Sequence, residues 1–113
     1  MPSIRLIVGL GNPGEKYIGT RHNAGADFIS ALANQNGIEL KSEKKLAGRL
    51  GRGTVAGHDL RLMIPDTYMN HSGEAVGLAA KYFHIAPAQI LIAHDELDMP
   101  PGASRFKFDG GHG

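Results

Sequence analysis

Two hydrophobic rhythms, one near 2 and one near 3.6 residues, divide this chain. Residues 4–10, IRLIVGL, are mostly apolar, rich in β-formers and bounded by glycine, which predicts a buried strand. A turn-rich stretch follows from 11 to about 22. Ala24, Phe28, Ile29, Leu32 and Ala33 then recur at helical spacing, and Asn36-Gly37 supplies a stop. Residues 46–64 read as two strands around AGHD, with LRLMI at 60–64 the stronger and Pro65-Asp66 as its end. Val76, Ala79, Ala80 and Phe83 give an apolar face to a helix over about 72–84, with Ser72 as candidate cap and Pro87 beyond it. The run QILIAHDEL, 89–97, suits a strand buried on both faces, and SRFKF, 104–108, alternates like a half-exposed one. The order β-α-β-β-α-β-β predicts the α/β class: a single domain, 1–113, with a twisted mixed, largely parallel sheet flanked by helices.

Composition narrows the picture in a few places. A chain of 113 residues holds one small domain with one core. Cysteine is absent, which excludes a disulfide frame, a thiol nucleophile and thiolate metal ligands, and fits a reducing compartment. The first residues run into Gly-Asn-Pro-Gly rather than a cleavage site, so no secretory leader is expected, and no apolar run reaches the ~18 residues of a spanning helix. A cytosolic location follows as the expectation. Formal charge is +1, yet LKSEKKLAGRLGRG at 40–53 carries Lys41, Lys44, Lys45, Arg49 and Arg52 against Glu43 alone. That is a solvated basic hairpin or a phosphate-contacting surface. The glycine-rich ending DGGHG is a poor place for a compact domain to stop, so the expectation is either a disordered tail or a domain truncated at its C-terminus.

Gly9-Leu10-Gly11-Asn12-Pro13-Gly14 spells G-x-G-x-x-G straight after the first strand, the pattern of a dinucleotide-binding turn. Such a turn needs a helix that starts inside the motif and aims its amides at a pyrophosphate. Here Gly19, Thr20 and Asn23 interrupt any helix before Ala24, and the acidic residue that would hold a ribose about 20 positions on is represented only by Glu39, 25 past Gly14 on a weak strand at best. The glycines instead predict positive φ and close backbone approach, and Asn12-Pro13-Gly14 is strong turn chemistry.

Four polar residues fall at strand ends: Asn12 and His22 after the first strand, Asn70 after LRLMI, and Asp95 at the end of the run from 89. If those strands lie parallel in one sheet, the four share one edge. A histidine beside a carboxylate and two amides has the parts of a general-base hydrolase with water as nucleophile. Each also has a plainer reading, as turn residue, helix cap or strand-end carboxylate. Asp95, Glu96 and Asp98 do not make a metal site, because strand alternation turns Glu96 away. His58, His71 and His84 read as surface or packing residues.

The words LIVGLGNPGEKYIGTRHNAG, TYMNHSG, AHDELDMPPG and FKFDGGHG, in this order and with these gaps, resemble the bacterial-type peptidyl-tRNA hydrolases. The resemblance implies a cytosolic monomer, without metal or cofactor, that cleaves the ester joining a peptide to the 3′ ribose of tRNA. It implies that His22 is the catalytic base, Asp95 its supporting carboxylate and Asn70 an amide at the reaction centre. Asn12 would tell a peptidyl from a free aminoacyl group, by pairing with the first peptide bond. Tyr17 and Tyr68 would line the substrate groove, where flat rings suit adenine or ribose, and Lys107 would meet the tRNA 5′ phosphate. Two departures stand out. The family continues past GGHG, and Asp109 stands where glycine is usual, adding a negative charge near Lys107. The alternative is a fragment that binds tRNA or other RNA without turnover.

Overall fold

The computed structural model describes residues 3–11, 24–66, 72–95 and 106–110, the side chains of 72, 94, 95 and 106–110 excepted. Six strands form one sheet: β1 (Leu6–Gly9), β2 (Lys41–Glu43), β3 (Gly48–Val55), β4 (His58–Pro65), β5 (Ile90–Asp95) and β6 (Phe106–Gly110), in the order β2-β3-β4-β1-β5-β6. β1 pairs parallel with β4 on one side and β5 on the other, while β2, β3 and β6 add antiparallel margins. The mixed sheet and the α/β class are therefore as the periodicity predicts.

Alternation along the strands splits the core between the two faces. Leu6, Val8, Leu50, Met63 and Ile90 point to one face, where α2 (Ser72–Phe83) lays Ala75, Val76 and Ala79 on them. Ile7, Leu60, Leu62 and Ile64 point to the other, where α1 (Ala24–Gln35) brings Ile29 and Ala33. All four residues of β1 are buried, as a central parallel strand requires.

The punctuation works through the backbone. Gly37 has φ +66°, Ile38 N donates to the Ala33 carbonyl at 2.9 Å, and Gly37 N to that of Asn34 at 3.4 Å. This is a Schellman stop with Ile38 folded back against Ala33. The end of α2 uses the same bonds, Ile85 N to Ala80 O at 2.8 Å and His84 N to Lys81 O at 3.4 Å, but with His84 rather than glycine at φ +56°. The β3–β4 hairpin turns on Ala56-Gly57, both at positive φ, the geometry of a two-residue type I′ turn.

Three details differ from the periodic reading. β1 starts at Leu6 rather than residue 4, although Arg5 N still bonds Gln89 O and Arg61 N still bonds Arg5 O. β2 is an added strand. It is a three-residue edge of polar side chains, which carries no apolar alternation to read. Gly51 and Gly53 in the basic hairpin make room for a neighbour, because a Cβ at either would strike Ile38, which crosses the sheet there.

Candidate active site

The carboxyl ends of β4, β1 and β5, three neighbouring parallel strands, lie at one edge of the sheet. From that edge the chain leaves β1 through Leu10 and Gly11 and is next described at Ala24, the first residue of α1. It leaves β4 through Asp66 and is next described at Ser72, where α2 begins. It leaves β5 after Asp95 and returns at Phe106. In open α/β sheets this edge is where ligand sites are built, on connections that leave for opposite faces. Here α1 and α2 depart to opposite faces.

The edge is fastened by backbone contacts. Leu10 N donates to the Ala93 carbonyl at 3.0 Å, tying the end of β1 to β5, and Ala26 N donates to the Leu10 carbonyl at 3.0 Å, tying the first turn of α1 to the same point. Gly9 and Gly25 face each other across this junction. A Cβ on Gly9 would overlap the Gly25 carbonyl and Ile29, and a Cβ on Gly25 would overlap the Ala93 carbonyl and the Leu10 backbone. The helix can seat this low on the sheet only because both positions lack a side chain. Gly9 thus serves close approach, and the positive-φ glycines among the described residues are Gly37 and Gly57 instead. The described part of helix α1 begins at Ala24, ten positions past Gly14, and the residues between lie outside the described ones.

Of the residues marked by sequence, Asp95 is the last residue of β5, with its backbone opposite Phe106, and Lys107 lies on β6 opposite His94. Asp109 is opposite Ile92 on the same strand. Asn12, Tyr17, His22, Tyr68, Asn70 and His71 lie outside the described residues. His58 and His84 are not buried, as expected. Gly25 was missed by periodicity alone, and its signal was the HNAG ending of the first motif. Among the described residues no three His, Asp or Glu side chains gather around a common point, and no helix is long and apolar enough to cross a membrane.

These features define an α/β protein that gathers three strand-end connections at one edge of a mixed sheet. The chain belongs to the peptidyl-tRNA hydrolase family, whose model matches residues 6–113. It is 56% identical to the peptidyl-tRNA hydrolase of Shewanella loihica, 55% to that of Azotobacter vinelandii and 58% to that of Acinetobacter baumannii, in each case over all 113 residues. It spans 58% of the length of each of these relatives. The crystal structure of the Acinetobacter baumannii peptidyl-tRNA hydrolase superimposes with a TM-score of 0.81 at 58% identity, covering 88% of this chain and 51% of that one. Its Arg119Gln mutant gives 0.83 at 57% identity, covering 91% and 53%.

Proposed function

We propose that this chain carries the reaction centre of a peptidyl-tRNA hydrolase, which splits the peptide–tRNA ester and frees tRNA for reuse in translation. The observation that supports this most is the shared edge. The connections bearing Asn12 with His22 and Tyr68 with Asn70 leave neighbouring parallel strands whose third member ends at Asp95. In this reading His22 takes a proton from water while the water oxygen attacks the ester carbonyl. The tetrahedral intermediate then collapses, and the proton passes to the 3′ ribose oxygen as that C–O bond breaks. Asp95 holds the imidazole in the required tautomer and stabilises its protonated form. Asn70 and Asn12 donate to the carbonyl oxygens of the ester and of the first peptide bond. Tyr17 and Tyr68 supply flat surfaces for the terminal nucleoside, and Lys107 meets the 5′ phosphate, with Asp109 opposing it. The protein acts as a cytoplasmic monomer without metal or cofactor.

The test is His22→Ala assayed on N-acetyl-aminoacyl-tRNA. The expected result is a fall in kcat of about 10²–10⁴-fold, the usual worth of general-base assistance, with tRNA affinity kept. Unchanged turnover refutes the assignment. Tight tRNA binding by the unsubstituted chain without turnover favours a binding module instead.

A further inference from the structure

Away from the fastened edge, an open groove of about 270 Å³ lies between the last turn of α2 and the β2–β3 hairpin. Its walls carry Lys45, Arg52, Arg61, Tyr82 and Phe83, with Glu43 at one side. Arg52 and Arg61 are direct partners in the β3–β4 register. Cross-strand partners share a face, and like charges in that relation are destabilising. Asp59 answers one of them, through a two-pronged bond to Arg52 at 2.7 and 3.1 Å. Among the described residues Arg61 makes no ion pair, and its guanidinium sits over the Phe83 ring, 4.0 Å from the centroid. Partial burial and the neighbouring Arg52 and Arg5 all work against its charge, and Asp59 offsets them in part. At the other end the Lys45 ammonium sits 4.5 Å from the Tyr82 ring centroid and donates to the Tyr82 hydroxyl at 3.0 Å, with that residue half exposed.

The groove therefore gathers three cations, two of them opposed, beside an exposed ring, against two carboxylates of which one is committed to Arg52. Contact with a ring face consumes none of the N–H donors of Arg61 as conventional hydrogen bonds, so they can meet an anion. We propose that this groove is a second RNA contact, taking a phosphodiester segment between Arg61 and Lys45 with a ribose or base against Tyr82. The inference rests on the RNA-substrate reading and extends it, because the groove lies at the far end of α2 from Ser72. The 12 residues of that helix span about 18 Å. An RNA with its 3′ end at the strand-end edge would reach the groove with its body, so this contact would sense the stem and not the ester.

The experiment measures binding of an RNA hairpin with a 3′ CCA end across a KCl series, together with hydrolysis of a short N-acetyl-aminoacyl ester of CCA. The double variant Lys45→Gln/Arg61→Gln is expected to bind the hairpin about tenfold more weakly and to lower the salt slope by one to two phosphates, roughly 0.7–0.9 each. Tyr82→Ala is expected to weaken binding with the slope unchanged, since stacking releases no counterions. Hydrolysis of the short ester should stay as in the unsubstituted protein. Hairpin affinity within twofold and an unaltered slope in the double variant overturn the groove, as does no hairpin binding by the unsubstituted protein. If the short ester is cleaved while hairpin binding ignores the variants, the groove falls and the hydrolase reading stands. If binding falls as expected but no form cleaves the ester, the groove stands and the hydrolase reading falls.

Discussion

Gly25 shows how much one missing carbon can decide. Its α-carbon faces the Ala93 carbonyl and the Leu10 backbone, neither of which can swing aside as a side chain could. Gly25→Ala should therefore destabilise the fold by about 3 kcal/mol, the upper end for overpacking, despite alanine's better helix propensity. Chemical denaturation checks this, and a loss under about 0.5 kcal/mol would show that the helix lifts off at little cost. The sequence marked Gly9 and its neighbours as special, for close backbone approach. It could not show that the partner of Gly9 was Gly25, because that pairing exists only once a helix is docked on a strand. Of the residues proposed for the chemistry, Asp95 was legible as the end of β5, whereas His22 and Asn70 are marked by motif words alone and lie outside the described residues.

Element boundaries follow the same division. The stop after α1 was readable because Asn36-Gly37 states it chemically. The stop after α2 uses the same hydrogen bonds around a histidine, and no local signal marks it. His84→Gly should raise stability by about 0.5–1 kcal/mol, as relief of the left-handed backbone outweighs the extra freedom of glycine in the unfolded chain. The carbonyl of His84 that accepts from Arg5 Nη1 at 3.3 Å is kept in the variant. A thermal melt that moves down instead of up would reject this account. The opposed pair Arg52 and Arg61 was equally hidden, because it depends on register. A three-residue loop in place of Ala56-Gly57 would shift the pairing and put the two arginines on different faces.

Over the whole molecule, charge placement matters more than the net +1. Arg52, by bonding Asp59, holds that carboxyl below its ordinary value, partial desolvation opposes this, and Arg61 and Arg5 add to the lowering. A carboxyl with a lowered native pKa stabilises the fold above its unfolded value, near 3.9, and the contribution disappears as pH falls through the native value. Asp59→Asn should therefore lower Tm slightly at neutral pH in dilute buffer. The difference should shrink in concentrated salt and vanish once acid has protonated the native carboxyl, since the pair is exposed and screened. A difference that persists in strong acid would trace the effect to packing rather than charge. The α/β class and the sheet's mixed character were legible because each helix and central strand has its own period. The margins were not, because β2 is polar and short.

The strand order also dictates a timetable for synthesis. β1 is made well before the strands that flank it: Leu6 pairs with Arg61 on one side and with Ile90 on the other. At ribosomal speeds of about 5–20 residues per second, roughly 4–17 seconds separate the emergence of Leu6 from that of Ile90. Until Arg61 emerges LIVG, fully buried in the finished sheet, has neither partner, and its β5 side stays open for the whole interval. The nascent protein thus depends on its surroundings to keep its first strand unclaimed until the flanking strands arrive.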